Sequence, residues 1–180
     1  MPDRALTADD LTCALYNPLR ASSAILVPRY TPLGWFECDL CRVTKTGYLH
    51  EYEVKVSLGD FRADAAKAPT KWQKVDGSWG NHPHGKAKHD RLANGDTRGP
   101  VHFWYVVPSA IADAVQAELP AFAGLIAADR KSRRVTLTHR VKAPRLHKQK
   151  ANPLIAIHVA SLFPYRFWNL YLKSTEDAHA

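Results

Sequence analysis

The stretch VHFWYVVP, residues 101 to 108, constrains this chain more than any other. It is a continuous apolar run of aromatic and β-branched residues with no polar alternation, the mark of a strand buried on both faces. SAIADAVQAEL follows at once and reads as a helix with Ser109 available as its cap, and GLIAA and RRVTLTHRV read as short strands beyond it. Upstream, LTADDLTCALYN reads as a helix, with Thr7 at the N-cap, Asp10 at the capping-box position and Pro18 limiting it. SAILVPRY is a strand. WFECDLCRV alternates, with Trp35, Glu37, Asp39, Cys41 and Val43 on one face and Phe36, Cys38, Leu40 and Arg42 on the other. Strands and helices alternate along the chain, so the expected fold class is α/β, a central mixed β-sheet flanked by helices.

HEYEVKVS, residues 50 to 57, raises the question of function. On an extended strand Glu51, Glu53, Lys55 and Ser57 share one face, while Tyr52, Val54 and Val56 enter a core on the other. Such a row is either the solvated face of an antiparallel sheet, with Glu37 and Lys55 as an exposed ion pair, or a divalent-metal site. The turn before it supplies geometry. A three-residue loop of Lys45, Thr46 and Gly47, with the glycine left-handed, pairs Thr44 with Tyr48 and carries Asp39 opposite Glu53 and Glu37 opposite Lys55. Opposed Cβ atoms lie roughly 4.5 to 5.5 Å apart, so the two acids share a site, and a divalent cation relieves their repulsion. After the strand, Ser57 reads as the N-cap of a helix over DFRADAAKA, with Asp60, Asp64 and Lys67 along one face and Pro69 ending it.

Charge is unevenly spread over a chain of net charge +8. Residues 1 to 66 hold seven basic and nine acidic side chains, whereas 130 to 150 hold nine basic and none acidic. An acidic site inside a basic surface fits a polyanionic partner. The segment 69 to 100, basic and rich in Gly and Pro, reads as a long inserted loop. A final helical segment, about 152 to 173, reads as interrupted at Pro164. No run approaches eighteen uncharged apolar residues and MPDRALTADD lacks signal-peptide order, so a cytoplasmic protein is expected, with no membrane partner. Three cysteines, Cys13, Cys38 and Cys41, suit reduced thiols.

Asp39 followed by Glu53-Val54-Lys55 carries the D…ExK pattern, and EVKVSLGDFRAD, HFWYVVP, AGLIAAD and KAPRLHKQK extend it. Together they resemble the PD-(D/E)xK, restriction-endonuclease-like nuclease superfamily, in its MmcB-like DNA-repair and phage nuclease-like branch, over about residues 24 to 150. Gly99, Pro100 and Val101 stand where relatives often carry an acid before the apolar strand, and the insertion is longer than theirs. The resemblance implies one restriction-endonuclease-like domain over 1–180, in a bacterial or phage-infected cytoplasm, close to the nucleoid. It implies a Mg²⁺- or Mn²⁺-dependent deoxyribonuclease that hydrolyses phosphodiester bonds. Asp39 and Glu53 would hold the metal with the carbonyl of Val54, and Lys55 would orient or help deprotonate the attacking water. Glu37, Glu51, Ser57 and Asp60 would support them. The alternative is a DNA-binding or recruiting module that keeps the fold and performs no chemistry.

Duplex DNA is the expected partner, met by Lys67, Lys71, Lys74, Lys86, Lys88, His89 and Arg91 in the insertion and by Lys142, Arg145, His147 and Lys148 after the last strand, and a homodimer would suit cutting of two strands. Trp72 and Trp79 could stack on bases or fasten the insertion to the core. CDLC lacks a second cysteine pair, and a strand sends Cys38 and Cys41 to opposite faces, so structural zinc borrowing His82 and His84 is the weaker reading. An HNH-type reading of His82, His84, His89 and Asn94 lacks the hairpin-then-helix frame.

Overall fold

The computed structural model describes residues 4–65, 70–75, 78–83, 86–132 and 134–177, and for 65, 70–75, 78–83 and 170–177 the backbone alone. In chain order the elements are α1 (Ala8–Arg20), β1 (Ser23–Tyr30), β2 (Cys38–Thr44), β3 (Leu49–Val54), α2 (Leu58–Ala65), β4 (Thr70–Val75) and β5 (Ser78–Pro83). Then come α3 (Lys88–Ala93), β6 (His102–Pro108), α4 (Ser109–Ala117), β7 (Ala123–Lys131), β8 (Arg134–Val141) and α5 (Leu154–Asp177). Six strands form one sheet in the order β1-β2-β3-β6-β7-β8. β6 lies parallel to β3 and β7, and the remaining pairs are antiparallel, so the fold is α/β with a mixed sheet. Among the described residues no helix is long and apolar enough to cross a membrane.

β6 occupies the centre, and both of its faces are dry. Phe103, Tyr105 and Val107 pack under α2, α3 and α4 with Phe61, Leu92, Ala112 and Val115. Val106 packs on the opposite face with Leu11 and Leu15 of α1, beside Tyr52 and Val54 of β3. α5 covers the outer strands, where Ile155 meets Tyr30, Cys38, Cys41, Val43 and Leu49. The hairpin joining β2 and β3 has the expected three-residue loop: Gly47 is left-handed (φ 87°), and the Thr44 N–H donates to Tyr48 O at 2.9 Å. Leu40 consequently pairs with Tyr52 and Cys41 with Glu51.

Thr7 caps α1 through a capping box with Asp10, and Ser57 Oγ accepts the Asp60 N–H at the start of α2. Other expectations are corrected. β2 begins at Cys38, leaving Trp35 and Glu37 before the strand, and β3 ends at Val54, leaving Val56 exposed instead of in the core. Segment 69–100 is no plain loop: it carries the antiparallel β4–β5 pair and α3. α1 runs through Pro18 and α5 through Pro164, because each helix is held by an apolar face (Leu11, Leu15 and Leu19 in α1; Ile155, Val159 and Leu162 in α5) that outweighs one lost backbone bond. α4 has no side-chain cap, so Ser109 does not serve as one. Cys38 and Cys41 are free thiols that share one buried cluster instead of opposite faces, at the start of β2 where it faces left-handed Arg29 (φ 49°).

Gly124 in β7 permits a close approach: a Cβ there would meet Trp104 Cε3 at 2.5 Å and the Ala143 backbone nitrogen at 2.6 Å. Gly124→Ala is therefore expected to cost about 1–3 kcal/mol by overpacking. Gly59→Ala, in α2 with only Ser57 Oγ at 3.9 Å, is expected to stabilise by about 0.4–1 kcal/mol. Urea unfolding of the two variants checks the contrast.

Candidate active site

The acidic row of β3 does not face water. Glu51, Glu53 and Lys55 are 1%, 5% and 3% exposed, and the side chains that cover them bring opposite charge. Lys88, at the first turn of α3, reaches down between two carboxylates, pairing with Glu51 and with Glu53 Oε1 at 2.6 Å. Its Nζ also lies 3.4 Å from the carbonyl of Glu37. Glu53 Oε2 takes Lys55 at 3.1 Å, and Lys55 turns on to Asp64 of α2 at 2.8 Å. Asp64 accepts the Tyr105 hydroxyl at 2.9 Å and lies 3.2 Å from His89 Nε2. The Trp35 indole N–H donates to Glu51 Oε2 at 2.7 Å, which closes the network from the loop before β2.

Asp39 stands at the edge of this network. Its Oδ2 accepts the Val54 N–H at 2.8 Å, bending across the point where β2 and β3 part. An extended residue turns its N–H and C=O to the same side, so the Val54 carbonyl also faces the Asp39 edge. The other flank of Asp39 opens on a cleft of about 680 Å³ lined by Asp9, Thr12, Cys13, Arg29 and Arg166. Arg29 pairs with Asp9 at 3.0 Å, and Arg166 of α5 donates to the carbonyls of Pro28 and Arg29 at 3.1 and 2.8 Å.

Electrostatics follows from burial and partner count. Burial, then the neighbouring Glu53 charge, raises the Asp39 carboxyl. Burial pushes Glu51 up to about 7 even though Lys88 opposes it. Against burial, Lys88 and then Lys55 hold Glu53 below its ordinary value. Burial works against both ammoniums, yet the facing carboxylates raise Lys55 and Lys88 above the ordinary lysine value. Asp64 is held low by the hydrogen bonds from His89 and Lys55, which overcome its burial. With Glu51 holding its proton up to about pH 7, three carboxylates (Asp39, Glu53 and Asp64) face the two ammoniums of Lys55 and Lys88, which leaves one negative charge in excess.

The structure brings Asp39, Glu53, Val54 and Lys55 together and places Glu51 within the same network. It does not gather the others. Glu37 is exposed ahead of β2, and Lys55 pairs with Glu53 and Asp64 instead of with it. Ser57 and Asp60 are exposed and serve the start of α2. Among the described residues no three His, Cys, Asp or Glu side chains already form a metal-holding group. The oxygens of Glu53 are engaged by lysines, so of these carboxylates Asp39 is the one with an oxygen that no lysine pairs.

The expected DNA contacts divide. Lys88, His89 and Arg91 are corrected: Lys88 and His89 are spent on Glu51, Glu53 and Asp64, while Arg91 pairs with Asp96 at 2.8 Å and lies over the Trp35 ring. A helix that packs against the acidic row supplies counter-charge where a solvated loop would have supplied phosphate contacts. Lys86 is exposed. Lys71 and Lys74 lie on β4, and Lys67 falls outside the described residues, as does His84. Trp72, Trp79 and His82 lie on the β4–β5 pair, where the backbone alone is described, so their stacking or metal roles rest on side chains outside the described set. Lys142, Arg145 and Lys148 are exposed and His147 half-buried on an extended strap after β8. That strap is held to Val101 and Gly47 through Leu146 and Ala151, at the end of β3 opposite Glu53, roughly 15 Å away by strand rise. Sequence reasoning missed Asp64 as a partner of Lys55, and missed Arg29 and Arg166 beside Asp39. Asp64 carried a usable signal, one helical turn beyond Asp60 on the segment that directly follows the lysine.

The raised Glu51 carboxyl sets a pH signature. Between about pH 4.5 and 7 the folded chain holds a proton on Glu51 that the unfolded chain has lost, so this group's stabilising contribution is complete below pH 4.5 and is lost as pH rises through 7. Asp64, depressed, acts in the opposite sense and withdraws its contribution only as pH falls below 3.8. His50, which burial and then His102 hold down at about 3, and His102, lowered by burial, act in the opposite sense up to pH 6.5, so the Glu51 share is read as a difference. Urea unfolding of the native chain beside Glu51→Gln, which keeps an acceptor for Trp35, is expected to show the native chain losing about 1–3 kcal/mol relative to the variant between pH 5 and 8.

No family model matches the chain, and no curated protein matches it. A solved structure, a protein of unknown function from Silicibacter pomeroyi, is similar with a TM-score of 0.55 over 100% of this chain and 97% of that one, at 18% identity. A likeness at that identity shows the fold alone.

Proposed function

We propose that the chain is a divalent-metal-dependent deoxyribonuclease whose reaction centre is the edge where Asp39 meets Val54 and Glu53. The observation that carries the reading is the Val54 N–H to Asp39 Oδ2 bond at 2.8 Å, which seats a half-buried carboxylate beside Glu53 with Lys55 directly behind. Asp39, Glu53 and the Val54 carbonyl are hard oxygen donors of the kind Mg²⁺ or Mn²⁺ takes, and the surplus negative charge of the cluster favours a dication there. A bound metal would acidify water and offset charge on the phosphate. Lys55 keeps its proton against Glu53 and Asp64, so its part is electrostatic: it fixes Glu53 and opposes growing negative charge, and it does not act as the base. Arg29, exposed on the rim of the Asp39 cleft, is placed to meet a phosphate from the open side, while Arg166 holds the carbonyls of Pro28 and Arg29 beside it.

One observation favours a second reading. Lys88 occupies Glu53 Oε1 at 2.6 Å and Lys55 is almost fully covered, as in a DNA-binding or recruiting module whose ion pairs only hold the fold. Purified protein incubated with plasmid, linear duplex and single-stranded DNA, in Mg²⁺, Mn²⁺ or chelator, separates the two. The nuclease reading expects metal-dependent cleavage that Asp39→Ala and Lys55→Ala each lower by more than about a hundredfold, equivalent to a few kcal/mol of transition-state stabilisation. Cleavage at the wild-type rate in both variants would remove the site. Binding that weakens steeply with salt, with a log-log slope of roughly −5 for six phosphate contacts but no cleavage, would leave the binding module.

A further inference from the structure

α5 presents a second surface, separate from the Asp39 edge. Its inner face is accounted for: Ile155, Val159 and Leu162 pack into the core, His158 Nδ1 lies 2.9 Å from the Tyr30 hydroxyl, and Arg166 donates to the carbonyls of Pro28 and Arg29. Its outer face is apolar and wet. Leu154, Ile157, Tyr165 and Trp168 are 52%, 67%, 69% and 56% exposed, whereas Phe163 and Phe167 lie round the helix, beside Leu26, Val27 and Pro28 of β1. Exposed apolar surface on that scale marks an interaction site.

We infer that this face is the interface of a homodimer, formed by α5 crossing α5 of a second copy in antiparallel fashion about Ser161. The positions carry the argument. Leu154, Ile157, Ser161, Tyr165 and Trp168 are spaced three, four, four and three residues apart, the seam of a packed helix pair. That spacing is symmetric about Ser161. On a two-fold axis through Ser161, Leu154 of one copy lies opposite Trp168 of the other, and Ile157 opposite Tyr165, so large meets large on both sides of a small central residue. An isologous contact requires this self-complementarity and an unrelated partner does not. The four large seam side chains offer roughly 500 Å² per copy, so the pair reaches about the 1,000 Å² that a specific interface needs. No charged side chain lies on the seam, and Arg166 is turned inward, where a helix resting on a lipid surface would carry its basic residues at the rim. The inference stands independently of the nuclease reading.

Light scattering behind size exclusion, on the full chain, tests it. The expected species has twice the 20.2 kDa mass of the chain. Ile157→Glu combined with Trp168→Glu is expected to return it to 20.2 kDa with an unchanged circular-dichroism spectrum. On a Cys13→Ser background, which removes the exposed native thiol, Ser161→Cys is expected to oxidise to a covalent dimer, while Ala156→Cys, exposed but off the seam, does not. A monomer at every concentration, with or without binding to phosphatidylcholine–phosphatidylglycerol vesicles, overturns the inference. So does a dimer that cross-links through Ala156→Cys and not through Ser161→Cys.

Discussion

Lys88 is the side chain on which the interior depends. Anchored in α3, it places one ammonium between Glu51 and Glu53 of β3, ties the segment before the central strand to the sheet, and lets two carboxylates sit beneath a layer of helices. Taking charges out of water is costly, and the cost is met only where each buried group finds a partner with good geometry. Here the partners are drawn from five places: Lys88 and His89 from α3, Asp64 from α2, Lys55 after β3, Tyr105 from β6 and Trp35 from the loop before β2. Breaking such a web at one point leaves an uncompensated charge in the core, so it fixes the arrangement of its elements as well as their stability.

The hairpin was legible because its geometry is local. A glycine in the left-handed region after Lys45 and Thr46 admits one register, and the observed pairs of Leu40 with Tyr52 and Cys41 with Glu51 follow from it. VHFWYVVP was legible for a similar reason: a strand with no polar alternation has no wet face to offer, and both faces of β6 are covered. The cover over the acidic row was not legible. Alternation of Glu51, Glu53 and Lys55 reads the same whether water or a helix lies opposite, and the deciding residue, Lys88, sits in a distant segment whose Gly, Pro and basic content reads as a solvated loop. The β4–β5 pair and α3 arise there because tertiary pairing and burial of Leu92 override that composition. Cys38 and Cys41 show a further limit, since strict alternation fails where a strand begins opposite a left-handed residue such as Arg29.

The same web explains why the chemistry is assigned to an edge instead of to the middle of the row. Inside, carboxylate oxygens are matched by ammoniums. At Asp39 the matching stops: one oxygen is held by a backbone N–H, the carboxyl is raised by burial and by Glu53, and the side chain borders an open cleft with two arginines. The basic strap of Lys142, Arg145 and Lys148 lies at the far end of β3, so a polyanion engaging both regions has to span the sheet.

The central claim is that surplus negative charge at the Asp39–Glu53 corner takes up a divalent cation. Titrating Mn²⁺ into isotopically labelled protein and following amide signal broadening tests it most directly, because a paramagnetic ion erases the resonances nearest to it. The account predicts selective loss of the Val54 amide and its neighbours, competed by Mg²⁺ and abolished by Asp39→Asn. Broadening confined to other parts of the chain, or a Val54 signal that survives saturating Mn²⁺, would contradict it.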